Sequence, residues 1–229
     1  YIKKADASRI YGLELEHILS PDKINFLVYQ DTLIEEHIMG IAGDVFIKTL
    51  LAKCTETEKS QIAKEFVKFN ERCMIRLLGD MRAYNYVIIP IHDFDQVVYR
   101  IRAIDFDQQC YEGNFKVYRP QFFKENYPMV KLVKEKLQDS SIEQYKDEER
   151  SVLAKRIISA EDRIKTLLEI MGKDVLAPES HLQQLQMELY RYTNDLNFKK
   201  AKSMGEIMNA AFEFIVRNFK NSNLFKMKL

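Results

Sequence analysis

The feature that most constrains this fold is a long helical repeat that leads through a polar loop into two β-rich runs. Residues 57–78 repeat apolar side chains with a helical period over about five turns. The β-rich runs, 86–91 and 97–104, follow the loop and are joined by a short polar and aromatic link. The order predicts a long helix, a loop and a β-hairpin in immediate succession.

The rest of the chain divides into a mixed front and a helical back. Asp6 can cap a helix over 9–19, and two β-like runs at 24–29 and 33–38 follow as a second hairpin. Asp44 can cap a further short helix. Beyond these, the helical segments lie near 128–138, 142–171, 179–196 and 203–220. The predicted fold class is therefore α+β.

Composition narrows the range of partners and compartments. The 35 Lys and Arg side chains nearly balance the 34 Asp and Glu side chains, so no overall field favours a nucleic acid or a membrane. Cys54, Cys73 and Cys110 are odd in number and lack metal-site spacing, which indicates reduced thiols and a cytoplasmic location. No apolar stretch reaches the roughly 18 residues of a membrane span.

The loop after the long helix holds an Asp and an Asn at a fixed separation. Gly79, Asp80 and Asn85 all favour turns, and a turn is one interpretation of the loop. The other is a site for phosphoryl transfer, where an Asp accepts the proton of a hydroxyl and an Asn holds a metal ion. The sequence of the loop alone allows both.

Residues 1 to about 107 resemble the protein-kinase-like phosphotransferases, the broad group that contains aminoglycoside and choline kinases. The resemblance lies in Asp80 and Asn85 with four residues between them, in Gly79 before the Asp, and in the later motif Ile104-Asp105-Phe106-Asp107. It implies a two-lobe fold, with a partial β-containing N-lobe over 1–39 and a predominantly helical C-lobe over 40–229.

The resemblance also implies a role for each motif residue. Asp80 would be the base and Arg82 a contact to the transferred phosphate, while Asn85 and Asp105 would hold Mg²⁺. The chain near 37–43 would be the hinge between the lobes, and the residues beside the adenine of ATP would be Glu36, His37 and Ile38. The acceptor would be a hydroxyl group of a small molecule.

A second copy of the Asp-Phe-Asp-Gln motif begins at Asp93. Only eight residues separate it from Asn85, too few for a strand that leaves Asn85 to return to the metal. Asp105 lies twenty residues after Asn85, which leaves room for a strand, a turn and a second strand. The copy at Asp93 is therefore predicted to be a hairpin tip, where Asp93 and Asp95 are exposed to solvent.

The resemblance requires a lysine on a strand before helix 9–19 and a glutamate on that helix. Glu14 falls within the apolar arc of the helix and Glu16 opposite it, and a carboxylate on a buried face needs a partner. Lys3 and Lys4 are both candidates for that partner, and we prefer Lys3. The pair would orient the phosphates of ATP.

Several departures from the family pattern support a second interpretation. No Gly-rich phosphate loop is present, Leu78 stands where a His or Arg is usual, and Asp107 replaces the Gly of the metal motif. Because the chain begins at Tyr1, where a third strand should already be running, we expect the first N-lobe strands to lie outside it. The alternatives to a small-molecule kinase are a pseudokinase and an atypical protein kinase that acts through a partner protein.

Overall fold

The computed structural model describes residues 1–21, 23–94 and 96–221, and its architecture is mixed α+β. The strands are β1 (Ile2–Lys4), β2 (Phe26–Tyr29), β3 (Thr32–Glu35), β4 (Ile41–Ala42), β5 (Tyr86–Asp93) and β6 (Gln96–Ala103). The helices are α1 (Ala7–Leu19), α2 (Gly43–Thr49), α3 (Glu56–Ile75), α4 (Tyr127–Lys136), α5 (Asp139–Ser159), α6 (Glu161–Met171), α7 (Glu179–Thr193), α8 (Leu196–Lys200) and α9 (Met204–Asn221).

The strands form two small antiparallel sheets. In the first sheet the order is β1-β3-β2, with Lys3 opposite Leu33, and α1 connects β1 to β2. In the second sheet the order is β4-β5-β6. The turn of the β5–β6 hairpin contains Phe94, which has a left-handed φ of 47° and is fully exposed. The prediction that the first Asp-Phe-Asp-Gln copy forms a hairpin tip is confirmed, although Asp95 lies outside the described residues.

Capping interactions fix where the two principal helices begin. The Asp6 side chain accepts a hydrogen bond from the backbone N–H of Arg9 and caps α1, as predicted. Thr55 and Glu58 form a reciprocal capping box at the start of α3. Helix α3 ends at Ile75, three residues earlier than the apolar repeat predicts, because Leu77 takes a left-handed φ of 49°.

Three helix predictions need correction. Asp44 does not cap α2; the helix begins at Gly43, and Asp44 bonds Lys48 one turn later. The single helix predicted over 142–171 is two helices that meet at Ala160. The backbone leaves helical geometry there, although no Gly or Pro at that position signals a break. The helix predicted over 179–196 ends at Thr193, before a left-handed Asn194, and a separate short helix, α8, follows it.

Two apolar clusters form the core, and α1 contributes to both. The front cluster unites the sheets with α3 and α4 and includes Leu13 of α1. The back cluster unites α5, α6, α7 and α9 and includes Leu15 and Leu19 of α1. Helix α1 therefore lies between the two clusters. The division of the chain into two lobes between residues 39 and 40 stays a prediction.

Two expectations drawn from composition can be compared with the structure. Cys54, Cys73 and Cys110 are free thiols. Across the described ranges, no helix is both long and apolar enough to cross a membrane.

Candidate functional site

A cleft between the two sheets brings together most of the residues predicted from the loop motifs and the hinge. Its cavity has a volume of about 350 Å³. Its lining includes Lys3, Asn85 and Asp105 together with the hinge segment Glu36–Ile38. Val87 and Ile104 add apolar surface. Residues more than a hundred positions apart in sequence therefore share one cavity.

The hinge segment offers backbone groups rather than side chains. The Glu36 carboxylate accepts hydrogen bonds from Asn25, and the backbone N–H of Glu36 donates to the carbonyl oxygen of Asn25. Within the described residues, the backbone N–H groups of His37 and Ile38 donate to no protein atom. A flat polar ring that enters the cleft can bond to these groups.

The backbone of the loop after α3 is held by a neighbouring segment. The Gly79 N–H donates to the carbonyl of Gln108 at 3.1 Å, and the Asp80 N–H donates to the carbonyl of Val117 at 3.2 Å. Asp80 has a left-handed φ of 54°, which Asp tolerates better than most residues. These tertiary bonds fix a backbone conformation that the loop sequence alone does not specify.

The Asp80 carboxylate faces two of the predicted site residues. Arg82 Nε donates to Asp80 Oδ1 at 2.8 Å, and Asn85 Nδ2 lies 3.3 Å from Asp80 Oδ2. The same Asn85 amide donates to the Asp80 carbonyl at 2.8 Å. Asp80, Arg82 and Asn85 therefore form one hydrogen-bonded unit, and the side chain of Asp80 is about one-third exposed.

Arg82 is fixed by two residues from a distant part of the chain. It donates to Glu125 Oε1 at 3.1 Å, and its guanidinium lies 4.9 Å from the centre of the Phe123 ring. The hydrogen bond with Asp80 raises the pKa of Arg82, so this side chain stays cationic. Oε2 of Glu125 is buried and lacks a hydrogen-bond partner in the described structure.

Asp105 lies beside Asn85 because the Ile104 N–H donates to the Asn85 carbonyl at 3.0 Å. The Oδ1 atom of Asp105 is buried without a hydrogen bond, although Arg9 Nη2 lies 3.6 Å away and Lys3 Nζ lies 3.9 Å away. Arg9 Nη2 also lies 3.6 Å from Asp107 Oδ2. Burial, and then the neighbouring Asp105, raise the pKa of Asp107.

The predicted pairing of a lysine with Glu14 is wrong. Glu14 bonds Arg163 of α6 at 2.7 Å, whereas Glu16 is the buried glutamate and pairs with Arg76. The apolar arc of the sequence marks one face of α1 as buried, whereas the helix packs on both core clusters. Because Gly12 has no side chain, the apolar pattern does not show that its face of α1 packs against Phe106.

Lys3 is bound by a residue from the neighbouring strand instead. Lys3 Nζ lies 2.9 Å from Glu35 Oε2, and the Glu35 side chain is buried. Lys4, the other candidate, is exposed on the opposite face of β1 and does not line the cleft. The structure therefore places Lys3, and not Lys4, near Asp105.

Asn85 and Asp105 carry the kind of oxygen atoms that a magnesium ion takes as ligands. Within the described ranges, no group of three or more His, Cys, Asp or Glu side chains could hold a metal ion. Mg²⁺ needs only one or two protein oxygens when phosphates and water complete its shell. The unbonded Asp105 Oδ1 and the Asn85 side-chain oxygen are such atoms, so Asn85 and Asp105 remain the candidate ligands.

Three other cavities, with volumes of about 380, 460 and 740 Å³, lie among the helices. Apolar side chains form much of their walls, and Glu71, the buried carboxylate that lines the two smaller ones, is already bonded to Arg150 at 2.6 Å. The cleft between the sheets combines a cavity with unbonded polar atoms, and it is therefore the candidate site.

Sequence reasoning missed three charged residues in or beside the candidate site. Arg9 of α1 contacts Asp105 and Asp107, Glu35 binds Lys3, and Glu125 binds Arg82. Glu35 carried one usable signal, since it occupies a strand position on the same face as the buried Leu33. Arg9 and Glu125 carried none, because the site residues that they contact lie far away in sequence.

No protein-family model, no curated protein and no solved structure matches the chain. The kinase-like resemblance therefore rests on the motif residues and on their arrangement.

Proposed function

We propose that this chain binds Mg-ATP in the cleft and transfers the terminal phosphoryl group to a hydroxyl of a small molecule. The observation that carries the proposal is the meeting of Lys3, the hinge segment, Asn85 and Asp105 in one cavity, with Asp80 bonded to Asn85 at its edge.

The order of the elements supports the same proposal. A strand carries the lysine, a helix follows, and two further strands lead into the hinge. The long helix α3 then enters the loop with Asp80, and the β5–β6 hairpin ends two residues before Asp105. This is the order that the resemblance to kinase-like phosphotransferases implies.

The side chains divide the chemistry among themselves. Asp80 lies where it can accept the proton of an acceptor hydroxyl, and Arg82 adds a fixed positive charge beside it. Lys3 provides a cation for the phosphates. When bound, Mg²⁺ at Asn85 and Asp105 would offset the charge of the phosphate oxygens. Catalysis in this scheme comes mainly from positioning and charge.

Calorimetric titration with ATP, with and without Mg²⁺, tests the nucleotide site. We expect Mg²⁺-dependent binding to the wild type and at least about tenfold weaker binding to Asp105→Asn, because a charged ligand is lost. Asp162→Asn, an exposed change on α6, is the matched control and should bind like the wild type. A folded wild type that binds no ATP would contradict the proposal.

Asp80→Ala separates transfer from binding. Loss of the base should slow phosphoryl transfer by about 10²–10⁴-fold, while ATP affinity changes little. ADP release is measured without an acceptor and then with choline or kanamycin added as trial hydroxyl compounds. Full turnover in Asp80→Ala would remove this residue from the proposed mechanism.

A pseudokinase that acts through a partner protein is the second candidate. Its support is that Asp105 is already contacted by Lys3 and Arg9, and that Asp107 replaces the Gly of the metal motif. This candidate predicts Mg²⁺-independent nucleotide binding, or no binding, together with no ADP release from the wild type. The titration above therefore distinguishes the two.

A further inference from the structure

Glu14 and Glu35 are the two candidate glutamates for orienting Lys3, and their contacts differ. Glu14 lies on α1 and bonds Arg163 at the surface of the helical back. Glu35 lies on β3, the strand directly beside β1, with its Oε2 atom 2.9 Å from Lys3 Nζ. We infer that Glu35 is the positioning residue for Lys3, and that Glu14 has no part in the site. This inference rests on the proposed function.

The surroundings of Glu35 support a positioning role. Its side chain is only 4% exposed, whereas that of Lys3 is 28% exposed, so the carboxylate is fixed and the ammonium reaches the cleft. A buried carboxylate costs free energy unless a cation pairs with it. Lys3 pairs with Oε2, and Arg9 Nε lies 4.0 Å from Oε1. Glu35 thus holds Lys3 at the edge of the cavity that both residues line.

The position of Glu35 also bears on regulation. Where the lysine partner lies on a mobile helix, movement of that helix makes or breaks the pair and controls activity. Here β1 and β3 are hydrogen-bonded neighbours, with Glu35 N–H donating to the Tyr1 carbonyl at 2.8 Å. The pair is therefore built into one sheet. Displacement of α1 does not by itself separate Lys3 from Glu35.

The test compares nucleotide binding by Glu35→Gln, Glu14→Gln and the wild type, with circular dichroism as the check of folding. ATP and adenosine are titrated separately, because adenosine lacks the phosphates that Lys3 would contact. We expect Glu35→Gln to weaken ATP binding about tenfold, as for the loss of a charged hydrogen bond, and to leave adenosine binding unchanged. Glu14→Gln should match the wild type with both ligands.

A double-mutant cycle with Lys3→Met shows whether Glu35 acts through Lys3. If it does, Glu35→Gln has little further effect on ATP binding once Lys3 is removed. Equal weakening of ATP and adenosine by Glu35→Gln would indicate a structural role and overturn the inference. So would additive effects, or weaker ATP binding in Glu14→Gln with none in Glu35→Gln.

Two further outcomes keep the test decisive. If Glu35→Gln does not fold, Glu35→Asp retains the charge at a shorter reach, and a smaller, ATP-selective loss supports the inference. A Glu35→Asp protein that binds ATP and adenosine like the wild type overturns it. A folded wild type that binds neither ligand overturns the proposed function and this inference together, whereas a binding wild type with an unaffected Glu35→Gln overturns this inference alone.

Discussion

Two ionic clusters lie at opposite ends of α1, and they are built in different ways. The cleft cluster joins Lys3 and Arg9 to four carboxylates, which are those of Asp6, Glu35, Asp105 and Asp107. The anchor cluster joins Arg72 and Arg76 to the carboxylates of Glu16, Glu65 and Glu149. Arg9 and Glu16 are seven residues apart, so one stripe of α1 reaches both clusters.

The contacts of the anchor cluster are those of a structural element. Arg72 donates to Glu65 at 2.7 Å and to Glu149 at 3.3 Å, and Arg76 donates to Glu16. Burial raises the pKa of Glu16, but the charge of Arg76 and its hydrogen bond outweigh burial and leave the pKa below its ordinary value. Apart from Nε of Arg76, no fully buried side-chain nitrogen or oxygen of these five residues lacks a hydrogen-bond partner within the described structure.

The cleft cluster leaves bonding capacity free. Arg9 contacts Asp105 and Asp107 only at 3.6 Å, and buried oxygens of Asp105 and Glu35 lack hydrogen bonds within the described residues. Four carboxylates face two cations in this cluster, whereas three carboxylates face two cations in the anchor cluster. The comparison teaches that the anchor cluster satisfies all but one of its buried polar atoms within the described residues, whereas the cleft cluster leaves three unsatisfied, which are Arg9 Nε, Glu35 Oε1 and Asp105 Oδ1. Unsatisfied buried polar atoms are a feature of functional sites.

The largest expected effect comes from breaking the anchor cluster. Glu16→Gln leaves Arg76 buried without its counter-ion, and we expect the free energy of unfolding to fall by about 3–5 kcal/mol. Urea unfolding measures this, with Glu14→Gln as the control that should cost less than about 1 kcal/mol. A loss as small as the control's would show that the two clusters do not differ in kind.

The pH dependence of this effect has a defined sign. Because folding lowers the pKa of Glu16, its stabilisation is present above the ordinary glutamate pKa and is lost as the pH falls through the lowered value. The stability difference between the wild type and Glu16→Gln should therefore shrink in acid.

An intermediate effect is expected where α1 packs between the clusters. A Cβ atom at position 12 would lie 2.9 Å from Phe106 Cβ and 3.2 Å from its carbonyl oxygen. We expect Gly12→Ala to cost about 1–2 kcal/mol, because overpacking exceeds the helix propensity that Ala gains. Since Phe106 lies between Asp105 and Asp107, Mg-ATP affinity should fall as well. Thermal unfolding and calorimetry check the two effects, and unchanged values in both would contradict the packing argument.

The smallest effect is expected from relieving charge in the cleft. Burial and Asp105 raise the pKa of Asp107 in the folded chain, so its charged form is unfavourable there. Asp107→Asn should raise stability at neutral pH by at most about 0.5 kcal/mol, since solvent screens a partly exposed group. The gain should be absent in acid and appear as the pH rises through the raised pKa. Both mutational effects therefore vanish in acid, but they have opposite signs, since Glu16→Gln lowers stability and Asp107→Asn raises it.

The elements could be predicted from the sequence because their signals are local. The cap at Asp6 and the apolar repeat of α3 involve residues only a few positions apart, so the sequence shows them directly. The β5–β6 hairpin follows from the composition and spacing of its two strands. The break at Ala160 was missed because it depends on how α5 and α6 pack rather than on a breaking residue.

The cleft was predicted in part. The spacing of Asp80, Asn85 and Asp105 followed from the motif and from the length of the hairpin between them. The partners of Lys3 and Glu14 could not be predicted, because α1 packs on two sides and the apolar arc of its sequence marks only one of them. Gly12 exposes no side chain that would mark its face as buried.

The sequence by itself determined the order of the principal helices and of the two hairpins, and it placed Asp80, Asn85 and Asp105 at separations that a loop and a hairpin can bring together. The tertiary structure alone decided which charges face one another, namely that Glu35 holds Lys3, that Arg9 contacts Asp105 and Asp107, and that Glu16 binds Arg76. The physical reason is range. Backbone periodicity and capping act over a few residues, whereas an ion pair forms between whichever charges the packing of distant segments brings within about 4 Å of each other.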